Sequence, residues 1–384
     1  MSEPRYTVYL SDVSYFSGKL EGALRAKRID YRRVPVTPDI LLDTVLPHTG
    51  WMKVPALRRD DGLWRCDTTP LLDWLDVEHP QRPLLPATAG ARFLTRLIED
   101  YCDEWQWRPA MLWRWGWADN ARYLGSRLGA ELSRGTPHPA WLTGVYFRHR
   151  QQRLFVRGDG VRAANVDAVA GRYPQALAWL EALLATRPYL LGTRPSRVDI
   201  AWFGPMFRHY AQDPRPAALM AATAPRVWAW VSRVWNSRED DWQGAAEGAH
   251  FADPAWTPML ADLGAAYLPY LQDNLAALAA GRRHFSGTYG GIHYPRLPVV
   301  VYRARCLLSL RQAYALLAAP DRVEVDSRLA GLGIREALTA AVPAVEGLTA
   351  VDEGPARPCA PLGRRARLQA YLGGTPWDRF GQNT

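Results

Sequence analysis

Before residue 85 the apolar positions come in short runs separated by turn residues; after it they recur at helical spacing over long stretches. Tyr6-Thr-Val-Tyr-Leu10 reads as a short strand, and the polar turn Ser11-Asp-Val-Ser14 leads into a helical stretch from Gly18 to Lys27 with Leu20 and Leu24 on one face. Tyr31 to Val36 reads as a second strand. Val54-Pro-Ala-Leu57 runs into the turn Arg58-Arg-Asp-Asp-Gly62, and Leu63 to Cys66 returns, the pattern of a hairpin. Asp67-Thr-Thr then opens a helix, with Pro70 in its first turn and Leu71, Leu72 and Leu75 inward. The order β-α-β, then β-β-α, is that of a thioredoxin-type domain, closed by the proline-punctuated linker Pro83-Leu-Leu-Pro86.

From Ala91 the pattern predicts helices over Ala91 to Trp107, Asp167 to Thr186, Val198 to Tyr210 and Arg226 to Val234. Ser196-Arg-Val-Asp199 has the form of a capping box, Ser196 capping free N–H groups while Asp199 reaches back. A further helical region follows: Met259 to Leu278, Pro298 to Leu317 and Asp326 to Leu338, with a Gly/Tyr/His loop from Phe285 to Tyr294 between the first two. The expected units are residues 1–85, 91–245, 246–345 and a Pro/Gly/Arg-rich tail over 346–384.

With 48% apolar and 22% charged residues, the 384-residue chain can bury a core. No apolar run reaches the ~18 residues of a membrane span, and the start lacks the basic-then-apolar order of a signal peptide, so neither a membrane protein nor a classically secreted one is expected. The net charge of +9 comes mostly from scattered Arg, with one dense cluster at Arg364, Arg365 and Arg367, which argues against nucleic-acid binding. Cys66, Cys102, Cys306 and Cys359 are far apart, with no CxxC and no His at ligand spacing; no metal site is expected, and the sparse cysteines fit a reducing cytoplasm. Seventeen Trp is the oddest count, five of them crowded between positions 105 and 117. No P-loop, GxSxG or GxGxxG appears, so nucleotide hydrolysis, esterase chemistry and nicotinamide binding lack support.

Four local features resemble the glutathione S-transferase superfamily: Ser14-Tyr-Phe-Ser-Gly-Lys-Leu20 followed by Ala26-Lys-Arg-Ile-Asp-Tyr31; Lys53-Val-Pro-Ala-Leu57; Cys66-Asp-Thr68; and Tyr189-Leu-Leu-Gly-Thr-Arg-Pro-Ser-Arg-Val-Asp-Ile-Ala201. Each is weak alone, but they stand in the family's order across about residues 5–240. The turn at 14–19 and the Asp103–Trp115 segment are most similar to long bacterial members with a C-terminal helical extension. The resemblance implies an N-terminal thioredoxin-like (α/β) domain, then the family's all-helical C-terminal domain, then an extra helical extension.

It also implies a site for glutathione as co-substrate. A free thiol with pKa near ~8.5 is mostly protonated at neutral pH, so a hydroxyl donor at a helix N-terminus must stabilise the thiolate. Ser14 stands where serine-type members keep that hydroxyl, either facing the sulfur or merely capping the helix; Ser11, Ser17 and Tyr9 are rivals. Pro55, cis in the family, would leave the Val54 backbone to pair with the cysteinyl part. Asp67 and Thr68 would take the γ-glutamyl end, although the family's usual Ser is Thr here. Lys53 is placed for the glycyl carboxylate, with Trp51 beside it. Tyr15, Phe16, Trp105, Trp113 and Arg114 are candidates to line the pocket of an apolar or aromatic small-molecule electrophile. Asp103 and Glu104, adjacent on one helix, point in different directions and do not make a paired acid–base site, and Asp199 is a cap residue. The leading expectation is thiol-dependent conjugation, isomerisation or elimination by a cytoplasmic homodimer; the alternative is a non-catalytic protein that uses the fold for binding or assembly.

Overall fold

Four short strands pair in the order β2-β1-β3-β4, with β1 (Tyr6–Leu10) parallel to β2 (Tyr31–Pro35) and antiparallel to β3 (Ala56–Arg59), which pairs antiparallel with β4 (Trp64–Cys66). The register sets Tyr6 opposite Tyr31 and Val8 opposite Leu57, so Tyr6, Val8 and Leu10 turn one face into the core. The computed structural model describes residues 4–244 and 248–351; the Arg364/Arg365/Arg367 cluster, Cys359 and all but the start of the expected tail lie outside them.

Helix α1 (Tyr15–Ala26) crosses between β1 and β2, and helix α2 (Thr68–Glu78) follows β4, giving the thioredoxin-like arrangement the sequence predicts. Between β2 and β3 the chain forms an irregular helical stretch over 38–49 that the apolar pattern did not announce. α1 is buried almost all round because the helical domain packs on its outer side. A Cβ on Gly22 would lie 2.7 Å from a ring carbon of Phe203, so the absent side chain is what permits this close approach.

The second domain begins with α3 (Ala89–Glu104) and α4 (Trp107–Trp115) and holds the predicted helix α5 (Arg197–Pro205). Its capping box is present in both directions: Ser196 N–H donates to Asp199 at 2.9 Å, and Asp199 N–H to the Ser196 hydroxyl at 3.4 Å. Two helices, Ala118–Leu132 and Ala140–Gln151, were not foreseen; they meet through Gly125, Gly129 and Gly144, and glycine lowers the helical signal that apolar spacing would otherwise give.

The region after residue 248 departs from the expectation twice. The Gly/Tyr/His segment is not a loop but a hairpin, β5 (His284–Tyr289) and β6 (Ile292–Pro298). Phe285, Tyr289, Ile292, Tyr294 and Leu297 are buried at strand period, and Gly290-Gly291, with φ of 54° and 77°, makes the tight turn. The helix expected over Asp326 to Leu338 is broken into Ala319–Arg328 and Ile334–Thr339 by Gly331 and Gly333, both at positive φ. Helix α6 (Val301–Ala315) runs where predicted and lies against α3.

Candidate functional site

The chain reverses twice beside α1, and both reversals face one cleft. Val54–Pro55 is cis, and Asp67, at φ 66°, caps α2 by accepting from Thr69 N–H at 3.4 Å. The cleft is lined by Phe16 of α1, by Trp51, Lys53, Val54 and Pro55, by Cys66, Asp67, Thr68 and Thr69 at the start of α2, by Asp103 and Glu104 of α3, and by Tyr302 of α6. The Lys53 ammonium lies 4.9 Å from the Trp51 ring centre. All five residues expected to hold a thiol tripeptide, Lys53, Val54, Pro55, Asp67 and Thr68, therefore meet here, together with Phe16.

The other expected residues do not line it. Ser14 caps α1, its hydroxyl oxygen accepting from Ser17 N–H at 3.3 Å. Tyr15 is buried and donates to the Cys102 carbonyl at 2.8 Å. Trp105 is buried among Tyr267, Tyr270, Tyr289 and Tyr294, all from the region after residue 248. Trp113 donates from its indole to the Ala170 carbonyl at 2.9 Å and packs on Trp117 and Tyr173. Arg114 is buried, paired at 2.7 Å with Asp213. The aromatic stretch is thus packing between layers rather than a wall of the cleft. Among the rivals for the thiol hydroxyl, Ser11, Ser17 and Tyr9 are buried and none lines the cleft.

Sequence reasoning missed the opposite wall. Asp103 and Glu104 both line the cleft, although each engages a different cation. The fully buried Lys19 of α1 pairs with Asp103 and, at 2.6 Å, with Glu99; Arg197 of α5 meets Glu99 at 2.8 Å and Asp73 of α2 at 3.2 Å. Glu104 pairs at 2.9 Å with Arg303, which also binds Asp159 at 3.0 Å. Buried charges this close must be matched, and the match ties both domains and the extension around the cleft. Burial raises the Asp103 carboxyl, Lys19 opposes this and Glu99 adds to it. Burial likewise raises Asp67 against the hydrogen bond it accepts from Tyr302 at 2.8 Å. The Cys66 thiol is pushed up to about 12 by burial and by Asp67, which favours its protonated form at neutral pH. No sequence pattern flagged Lys19 or Tyr302 as cleft-associated: a buried cation on a helix looks like any surface lysine until its partners are placed.

Among the described residues no helix is long and apolar enough to cross a membrane, and no group of three or more His, Cys, Asp or Glu is arranged to hold a metal ion.

A thioredoxin-like domain whose cis-proline loop and helix N-terminus face a cleft, docked on an all-helical domain, defines the class. The family description "Glutathione S-transferase, N-terminal domain" matches residues 8–83, and "Glutathione S-transferase, C-terminal domain" matches residues 163–233. The chain thus carries an N-terminal and a C-terminal glutathione S-transferase domain over these residues. Among solved structures it is similar to a glutathione S-transferase from Rhodospirillum rubrum F11 (19% identity, 66% of this chain and 91% of that one, TM-score 0.40). It is also similar to the beta-etherase LigF from Sphingobium sp. strain SYK-6 (20%, 66% and 98%, TM-score 0.43). A third is a glutathione S-transferase from Methylobacterium radiotolerans, solved in complex with glutathione sulfonate (22%, 60% and 90%, TM-score 0.37). A comparison with curated proteins finds none that matches.

Proposed function

We propose that the cleft binds glutathione, or a closely related thiol, and presents it as a thiolate to an apolar or aromatic electrophile, for conjugation, isomerisation or elimination. The observation that carries this reading is the convergence of Lys53, Val54, Pro55, Asp67 and Thr68 on one cavity. In it the Val54 backbone pairs with the cysteinyl unit. The Asp67 carboxylate takes the γ-glutamyl ammonium, the Thr68 hydroxyl and the α2 N-terminus take its carboxylate, and Lys53 takes the glycyl carboxylate. Ser14 does not line the cleft, but its cap bond uses the oxygen only as acceptor, so its proton is available to a sulfur brought up to the positive end of α1. Phe16 offers the apolar contact for the electrophile. The reading places the protein in the cytoplasm as a homodimer.

Titration with reduced glutathione at neutral pH, backed by thermal shift, tests the site. Micromolar to low-millimolar binding is expected, weakened about tenfold in Asp67→Ala, the scale of a lost charge-assisted hydrogen bond. Absence of both heat and thermal shift overturns the thiol site.

The alternative, a non-catalytic binding or assembly protein, draws support from one observation: the cleft measures only about 80 Å³, below the ~300–1,000 Å³ of ordinary small-molecule sites.

A further inference from the structure

The carboxylate assigned to the ligand's ammonium already has a partner. Tyr302, in the first turn of α6, donates its phenol hydroxyl to Asp67 at 2.8 Å. This phenol comes from more than 200 residues further along the chain, in the helical extension. It is also not held there by chance packing. The Asn274 side chain grips the start of α6 from both sides, donating to the Val300 carbonyl at 2.9 Å and accepting from Val300 N–H at 2.8 Å. Next to Tyr302, Arg303 is buried and bonded to Glu104 at 2.9 Å, Asp159 at 3.0 Å and the Tyr270 hydroxyl at 2.6 Å. The backbone that presents the phenol is therefore fixed, while the phenol itself has somewhere to go. A second cavity of about 380 Å³, between α2, α3 and α6, shares Thr69 and Tyr302 with the cleft. Tyr302, with Thr69, thus stands between a small cavity carrying the thiol-site residues and a larger one beside it.

We propose that Tyr302 is a specificity-determining residue that competes with a ligand's ammonium group for the Asp67 carboxylate, so that the extension sets which thiols the cleft accepts and how tightly. The inference rests on the reading of Asp67 as the acceptor of the γ-glutamyl ammonium. Asp67 Oδ1 already accepts from Thr69 N–H and Oδ2 from the phenol, so an ammonium that takes up Oδ2 displaces or weakens the phenol's bond, and its net gain is reduced by that loss. A thiol lacking the ammonium has no use for Asp67 and meets no such competition there.

The test measures dissociation constants of glutathione and of N-acetylglutathione, which lacks the ammonium, for the full chain and for Tyr302→Phe and Tyr302→Ala, with melting temperatures to verify folding. Tyr302→Phe removes only the competing hydroxyl; Tyr302→Ala also clears the ring. The expected result is glutathione binding tightened at least tenfold in both variants, with N-acetylglutathione changed less than threefold. Equal tightening of both ligands makes Tyr302 a space-filler and overturns the proposal. So does binding of glutathione by the unaltered chain with no gain in either variant, which leaves the thiol site standing. If no variant binds glutathione at all, the reading of Asp67 falls and this inference falls with it.

Discussion

Two stretches of the chain carry candidate site residues, and the fold puts them to different uses. The loop and helix start carrying Lys53 to Pro55 and Asp67 to Thr68 line the cleft; the aromatic stretch from Trp105 to Arg114 does not. The first stretch is fixed by local backbone geometry, a cis bond and a helix N-terminus at the edge of a four-stranded sheet, and that geometry travels with the motif. The second lies on helices whose outward faces are decided by whatever packs on them. Here the extension packs on them, and it takes Trp105 into a cluster of tyrosines. A motif that sets its own backbone predicts a site; a composition of aromatics predicts only burial.

The largest effect should separate the two stretches. Trp105→Ala removes a buried indole from that cluster and should cost about 3–5 kcal/mol in a urea denaturation, with glutathione affinity unchanged in the fraction that remains folded. If affinity falls while stability holds, the aromatic stretch is part of the site after all and the contrast fails.

An intermediate effect sharpens the role of the helix between them. Asp100 of α3 is half-buried and its carboxyl is pushed up to about 7, chiefly by desolvation and further by Glu104, while hydrogen bonds from Tyr267 and Cys306 pull it down. The unfolded chain releases that proton near pH ~3.9, so between about pH 4 and 7 the native state binds one more proton than the unfolded state. Stability should therefore fall as pH rises through this window, by roughly 2–4 kcal/mol, and Asp100→Asn should flatten the slope. Denaturant midpoints at pH 5 and pH 8 check it; parallel slopes in both proteins would remove Asp100 from the account.

The smallest effect is on the hydroxyl at the tip of α1. Ser14→Ala should cost about 1 kcal/mol as a lost helix cap. If the hydroxyl also faces sulfur, turnover of a generic electrophile should drop at least tenfold while glutathione binding is kept. A variant with full turnover reduces Ser14 to a cap.

Much of the fold was legible because its signals are local. Short apolar runs between turn residues gave β1 to β4, Asp67 with Pro70 gave α2, and Ser196 with Asp199 gave α5 and its capping box. The hairpin at 284–298 is legible too, in the Gly290-Gly291 turn flanked by alternating apolar residues, although glycine content alone points to a loop. The helices around Gly125, Gly129 and Gly144 were not legible, because a residue with no side chain gives no periodicity.

The sequence by itself carried the thioredoxin-like domain and the helical domain behind it, because their signals are local, and through the family resemblance it pointed to Phe16, Lys53, Val54, Pro55, Asp67 and Thr68, which all line the cleft. Only the tertiary structure decided the opposite wall. Lys19 meets Asp103 across 84 residues, and Tyr302 meets Asp67 across 235. Nothing local distinguishes a buried lysine or tyrosine from an exposed one. Their partners are chosen when separate units pack, and the cost of leaving a buried charge or hydroxyl unpaired then enforces the choice.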